Sequence, residues 1–239
     1  MIKVVTSAER HTAKEGPVHS EYSFSFADYD DPGNAHFGCL LVLNDHILPS
    51  GKQVESHPHH DLEIVTYVVS GRLLHRLESL DREELLEEGS FQVLSAGTGI
   101  FHSEHNPASE ESVRYLQLWF LPEQRGLEPH TSRKHVPKET RIGKMEPVIS
   151  GGTDPADSLT IRQDVKIYAP VLVDQAPVSL SPGGRRVHLF VITGHVDFTC
   201  GKQEFSLRPG DAARIHSSEE IVISKTGEEQ AELLLIEMP

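Results

Sequence analysis

TYVVSGRLLHRL, residues 66–77, is the stretch on which the fold is read: an apolar run, a glycine turn and a second run make a strand–turn–strand unit. LFVITGHVDFTC, residues 189–200, repeats the form. A further glycine follows each unit, in EEGSFQVLSAG and RPGDAARIHSS, so Gly71 matches Gly194 and Gly89 matches Gly210 at offsets of 123 and 121. An offset of about half the 239-residue chain implies a duplicated domain.

Around these units, short runs rich in Val, Ile, Leu, Phe and Tyr recur between turn residues, and helical periodicity is scarce. The first half has CLLVLND (39–45), LEIVTYVV (62–69), RLLHRLES (72–79), SFQVLS (90–95) and VRYLQLWFL (113–121). The second has residues 165–170, RVHLFVIT (186–193), HVDFTC (195–200), DAARIHS (211–217), EIVIS (220–224) and AELLLIEM (231–238). The expected fold is all-β, as two tandem barrels: residues 1–125, a connecting segment 126–164, and the core of a second barrel at 165–239. The acidic run DREELLEEG (81–89) reads as a solvated hairpin tip, and Cys39 as a buried small apolar residue.

Charge narrows the function classes. Lys and Arg number 22 against 36 Asp and Glu, a formal −14 that repels phosphate backbones and acidic lipid headgroups. Direct nucleic-acid binding and membrane association are therefore not expected, and no apolar run approaches the ~18 residues of a membrane span. MIKVVTSAERHT lacks the apolar core of a secretion signal, and the two cysteines form no C-x-x-C pair, so a cytoplasmic, reducing location is expected. The unusual count is 15 histidines. Imidazole is the commonest transition-metal ligand, so their arrangement matters.

Two pairs are arranged. His57 and His59 flank Pro58 just before the 62–69 run, and i, i+2 residues of an extended chain share one face. AGTGIFHSEHN puts His102 and Glu104 at the same spacing after a glycine-rich turn. A lone histidine in a β-protein is more often a hydrogen-bonded core or surface residue. Two such pairs beside neighbouring strands instead point to three nitrogens and one oxygen on one ion. The repeat supplies a control: offsets of 123 and 121 carry these positions to Leu180, Pro182, Ile223 and Lys225, so the second barrel is expected to lack the ligands. His188, His195 and His216 are then ordinary residues. His60 should face solvent, His105 should lie in a turn, and His75 reads as structural, with a hydrogen bond to the site as the alternative.

HPHHDLEIVTYVVSG (57–71), EEGSFQVLSAGTGIFHSEHN (87–106), RYLQLWF (114–120) and GDAARI (210–215) resemble the pirin family, two-domain members of the cupin superfamily. The resemblance implies two tandem cupin barrels, the double-stranded β-helix or jelly-roll, and makes His57, His59, His102 and Glu104 the metal ligands. The usual first-motif glutamate position is Ile64 here. Glu63 comes one residue early and is expected beside the ligands rather than among them, with Glu104 supplying the carboxylate.

A divalent ion on three neutral imidazoles and one carboxylate carries a local charge near +1 and favours an anionic guest. Four ligands would close a tetrahedral zinc shell, whereas a six-coordinate metal would keep about two positions open. Iron is the first expectation, with Mn, Ni, Co, Cu or Zn as alternatives. The resemblance implies a quercetin 2,3-dioxygenase that cleaves a flavonol, or a related enol or phenol, with O₂ and releases carbon monoxide. Glu104 is then the catalytic base, swinging from the metal to take the hydroxyl proton. Val65, Tyr67, Leu94 and Leu116 are the expected walls, joined by Asn34 and Phe37. The competing class is a non-enzymatic regulator whose surface follows the oxidation state of iron and meets a protein partner.

Overall fold

The computed structural model describes residues 1–152 and 157–239. The chain is built of strands with a few 3₁₀ turns, so the all-β expectation holds. Contacts cluster into an N-terminal unit, His11–Pro137 with Leu159–Gln163, and a C-terminal unit, Met1–Arg10, Lys138–Ser158 and Asp164–Pro239.

This division runs differently from 1–125, 126–164 and 165–239, for reasons visible in the pairing. The Ile2–Val5 strand joins Ala212–His216, Ile2 opposite Ile215, which places the chain start in the C-terminal unit. His130–His135 pairs with Ser90–Ser95, which keeps that part of the expected connection in the N-terminal unit. Arg162 returns to the same unit: its amide donates to Glu63 and its carbonyl accepts from Glu123. Residues 153–156 of the expected connection lie outside the described residues.

Each unit has a larger and a four-stranded sheet. In the N-terminal unit the larger runs His130–His135, Ser90–Ser95, Glu63–Ser70, Val113–Phe120, Leu40–Leu48, Val18–Tyr22, His11–Glu15. The smaller runs Gln53–His59, Ile100–His105, Arg72–Leu77, Arg82–Glu87. The C-terminal unit's smaller sheet repeats that order as Val178–Leu180, Ile221–Thr226, His195–Cys200, Gln203–Leu207. Its larger sheet orders Ile2–Val5, Ala212–His216, Arg186–Thr193, Ala231–Met238, Lys166–Tyr168 and Pro147–Gly151.

Alternation sets the interiors. Leu73, His75 and Leu77 point inward from one strand, and Val196, Phe198 and Cys200 do so from its counterpart. The C-terminal interior is apolar, packed with Leu189, Phe198, Ile215, Ile221, Ile223 and Leu233. The N-terminal interior has apolar patches around Val68, Leu86 and Val113 and around Ile64, Leu77 and Leu94, with polar residues between. Gly71 and Gly194 turn the two hairpins with φ of 80° and 72°, a region glycine enters at little steric cost. The acidic run differs from expectation: Arg82–Glu87 is a strand paired along Arg72–Leu77, because its Leu86 side chain is fully buried. Cys39 is only partly covered.

Candidate metal centre

Strand geometry brings the arranged histidines together. In the Gln53–His59 strand His57 and His59 are half-buried while Pro58 between them is exposed, as a period of two requires. Ile100–His105 is antiparallel to it, with His102 opposite His57 and Ile100 opposite His59. The register then slips: Glu104 faces Val54, so the first strand spends one extra residue and Glu55 and Ser56 both face out. This bulge beside the cluster re-aims side chains, a common use of the feature near functional sites. Ring centroids of His57 and His102 are 4.3 Å apart, and His59 lies 4.9 Å from each.

The ring nitrogens suit metal binding. One nitrogen from each of His57, His59 and His102 lies within 4.8 Å of the other two. Nδ1 of His57 donates to the Glu55 carbonyl at 2.8 Å, which frees Nε2 for a ligand. Nε2 of His59 and of His102 are buried without a hydrogen-bond partner among the described residues. An orphaned buried nitrogen calls for an explanation, and a bound cation is one. Burial first, and then neighbouring His57, lower the pKa of His59 to about 4, with Glu104 opposing. Burial and then His75, His57 and His59 push His102 far below the usual imidazole range. Both rings are therefore neutral at pH 7 with lone pairs available, as metal ligation requires.

Glu104 lies two residues on from His102 in the same strand. It groups with His102 and His75, again within 4.8 Å. Its carboxylate accepts from the Tyr115 hydroxyl and from Gln117 Nε2, both at 2.6 Å. The Gln117 orientation is fixed, because Trp119 Nε1–H, which can only donate, occupies its carbonyl at 2.9 Å. Tyr115, Gln117 and Trp119 share one face of Val113–Phe120 by alternation. Burial and the Glu104 charge hold the Tyr115 hydroxyl well above its ordinary pKa, so it remains a donor. The swing expected of Glu104 would break both of its hydrogen bonds; the carboxylate is clamped. Three imidazoles and a carboxylate suit a divalent cation.

A cavity of about 790 Å³ opens on this cluster, lined by His57, Glu104, Tyr115, Gln117 and Trp119 together with Val18, Phe26, Val54, His46 and Ser20. Trp119 stands edge-on to His59 at 4.7 Å and to Phe26 at 5.1 Å, giving the cavity an aromatic wall. The expected walls are different. Val65, Tyr67, Leu94 and Leu116 are core residues, and neither they nor Asn34 and Phe37 line the cavity. Glu63 is also elsewhere: its carboxylate accepts from Ser95 and the Arg162 amide, and burial raises its pKa.

His60 is exposed as expected, and His105 ends its strand rather than lying in a turn. His75, read first as structural, makes a direct hydrogen bond to His102. Sequence reading missed Tyr115, Gln117, Trp119 and Gln92. The available signal was a glutamine at an inward position of an apolar strand, seen twice, in SFQVLS and in VRYLQLWF. Registers also shift the repeat control. Leu77 faces His102 as Cys200 faces Ile221, so the counterparts of His102 and Glu104 are Ile221 and Ile223, not Ile223 and Lys225. Ile221 faces Leu180 as His102 faces His57, which keeps Leu180 as the His57 counterpart.

Comparison with known proteins agrees with this architecture. The family model described as Pirin matches residues 5–120, and the one described as the quercetinase C-terminal cupin domain matches residues 148–238. The quercetin 2,3-dioxygenase of Escherichia coli strain K12 is 35% identical over 240 residues, covering 100% of this chain and 99% of that protein. A pirin-like protein of Caulobacter vibrioides is 35% identical over 225 residues, 94% of each. The crystal structure of the bacterial pirin YhhW from Escherichia coli in complex with nickel(II) has a TM-score of 0.90 at 32% identity, covering 100% of this chain and 99% of that one. A likeness that runs the length of both chains, together with family models matching residues 5–120 and 148–238, means that the chain belongs to the pirin family of two-cupin proteins.

Proposed function

We propose that the chain is a metal-dependent dioxygenase that opens the heterocycle of a flavonol such as quercetin with O₂ and releases carbon monoxide. His57, His59, His102 and Glu104 hold one divalent transition metal, with iron the first candidate; nickel(II) is the ion named for the Escherichia coli pirin. The observation that carries the reading is the cluster of His57, His59 and His102, with Glu104 grouped on His102, beside a cavity of about 790 Å³ that His57 and Glu104 line and that is large enough for a three-ring phenol. Full-length relatives named quercetin 2,3-dioxygenase support it.

Bound there, the ion supplies Lewis acidity that acidifies a coordinated hydroxyl and a coordination position for O₂. The chain supplies the rest. Phe26, Val54 and Trp119 offer flat apolar surface to aromatic rings, and excluding water there strengthens every charge interaction at the cluster. Glu104 is the base for the flavonol 3-hydroxyl proton. Each of its oxygens accepts one protein hydrogen bond and keeps a lone pair, so it takes the proton without leaving its clamp. Tyr115 and Gln117 hold it at one position and so fix where the proton goes.

A cytoplasmic location without direct nucleic-acid contact belongs to the same proposal, on the formal −14. No helix among the described residues is long and apolar enough to cross a membrane. The test is elemental analysis of freshly purified protein coupled to oxygen uptake with quercetin. Metal-dependent uptake with carbon monoxide release is expected. Equal uptake by wild type and His57→Ala overturns the proposal, and metal without uptake favours the regulator.

A further inference from the structure

We infer that Glu84, Gln92 and His75 form a one-way hydrogen-bond relay that locks the His102 ring in the tautomer leaving Nε2 bare for the ion. The relay starts at the Glu84 carboxylate, which can only accept. Gln92 Nε2 lies 2.9 Å from Glu84 Oε2, so the amide NH₂ must face Glu84 and the amide oxygen must face the other way. That oxygen meets His75 Nδ1, which must therefore carry the proton. His75 is fully buried, and in its neutral form one protonated nitrogen leaves Nε2 as an acceptor. His75 Nε2 meets His102 Nδ1, which must then donate. His102 Nε2 is left with its lone pair, buried and unpartnered among the described residues. With the His75 ring neutral, every link has one permitted direction, set by the first.

The C-terminal unit supplies an independent control. Registers within each unit pair His75 with Glu84 and Phe198 with Phe205, and Thr66 with Gln92 and Leu189 with Ala213. The relay Glu84, Gln92, His75 is thus Phe205, Ala213, Phe198 in the counterpart, with Phe198 and Phe205 stacked at 4.9 Å. The polar chain is present where the histidine cluster is and is replaced as a block where the counterparts are Leu180, Ile221 and Ile223. These three are positioning residues, acting on the ion through the His102 ring.

The inference rests on the proposed ligand set only in taking His102 Nε2 as the metal donor. Two readouts on the full chain test it. In metal-free protein labelled with ¹⁵N-histidine, near neutral pH, His102 should show a protonated Nδ1 and a bare Nε2. In competition with a chromophoric chelator for Ni²⁺, Glu84→Ala and Gln92→Leu should bind roughly 10–100-fold more weakly than wild type. Glu84→Gln, whose carbonyl can still accept from Gln92, should restore most of the affinity. Glu84 is partly exposed, so its variants fold even if the buried Gln92→Leu does not. A charge effect alone would make Glu84→Ala and Glu84→Gln equally weak, and that result overturns the relay. So does a His102 proton on Nε2 in wild type, or Ni²⁺ affinity unmoved in Glu84→Ala. A wild-type chain with the stated tautomer that binds no Ni²⁺ instead overturns the metal-centre reading and leaves the relay standing.

Discussion

At the scale of single residues, the proposed centre divides between imidazoles that would only hold an ion and Glu104, which would both hold it and take a proton. Truncating His57 or His102 to Ala removes a nitrogen from the cluster, so both variants should purify with metal near background and lose flavonol cleavage together. Elemental analysis and oxygen uptake on the same sample check this. Glu104→Gln keeps shape and one oxygen but not the charge, so it should retain substantial metal while turnover falls by about 10²-fold, the scale of a lost general base. Tyr115→Phe removes one arm of the clamp and should lower turnover less than Glu104→Gln does. The grouping of His57, His59 and His102, with Glu104 on the same strand as His102, was legible because i, i+2 spacing on a strand is itself a spatial statement. The hydrogen-bond partners were not, because His75 meets residues 17 and 27 positions away and only the fold brings them near.

His188 carries a pH prediction of its own. It is fully buried in the C-terminal unit, and burial, followed by the Arg214 and Arg10 charges, lowers its pKa from 6.5 to about 3. The folded ring stays neutral where the unfolded ring takes a proton. Its contribution to stability is therefore complete above pH 6.5 and is lost as pH falls toward about 3. Denaturant midpoints measured from pH 6.5 down to about pH 5, before most carboxylates titrate, should fall in wild type and fall less steeply in His188→Leu, where His59 and His102 still contribute. Identical slopes would refute this account.

At the scale of elements, turns and bulges fix which side chains reach the interior. A Cβ on Gly71 would sit 2.9 Å from the Ser112 carbonyl oxygen, and one on Gly194 would sit 2.4 Å from that of Gln230 and 2.6 Å from Ala231 Cα. Both positions have positive φ, so Gly71→Ala should cost about 1–3 kcal/mol and Gly194→Ala more. Thermal unfolding of the two variants gives the order. The glycines were legible because they punctuate apolar runs; SFQVLS (90–95) and HVDFTC (195–200) were bounded as the structure has them. Arg82–Glu87 was hidden by its charge, since a strand with one face in solvent needs only alternate apolar positions and this one buries Leu86 alone. Ile2–Val5 and His11–Glu15 pair at the margins of their sheets and show little alternation.

At the scale of the molecule, duplication shows in the matching strand orders of the two four-stranded sheets. The counterparts of His57, His102 and Glu104 in the other unit are Leu180, Ile221 and Ile223, all inside its apolar core. The protein should therefore carry one ion per chain at saturation, and His57→Ala should carry none; a stoichiometry of two would break the assignment. The exchange of Glu84, Gln92 and His75 for Phe205, Ala213 and Phe198 reaches further than that count. Anyone who transplanted imidazoles alone into the C-terminal barrel would set them against stacked phenyl rings, free to spin and to protonate on either nitrogen. A working graft has to import the scaffolding behind the ligands as well, which makes six or seven exchanges, rather than three, the smallest step between an inert barrel and a metal-binding one.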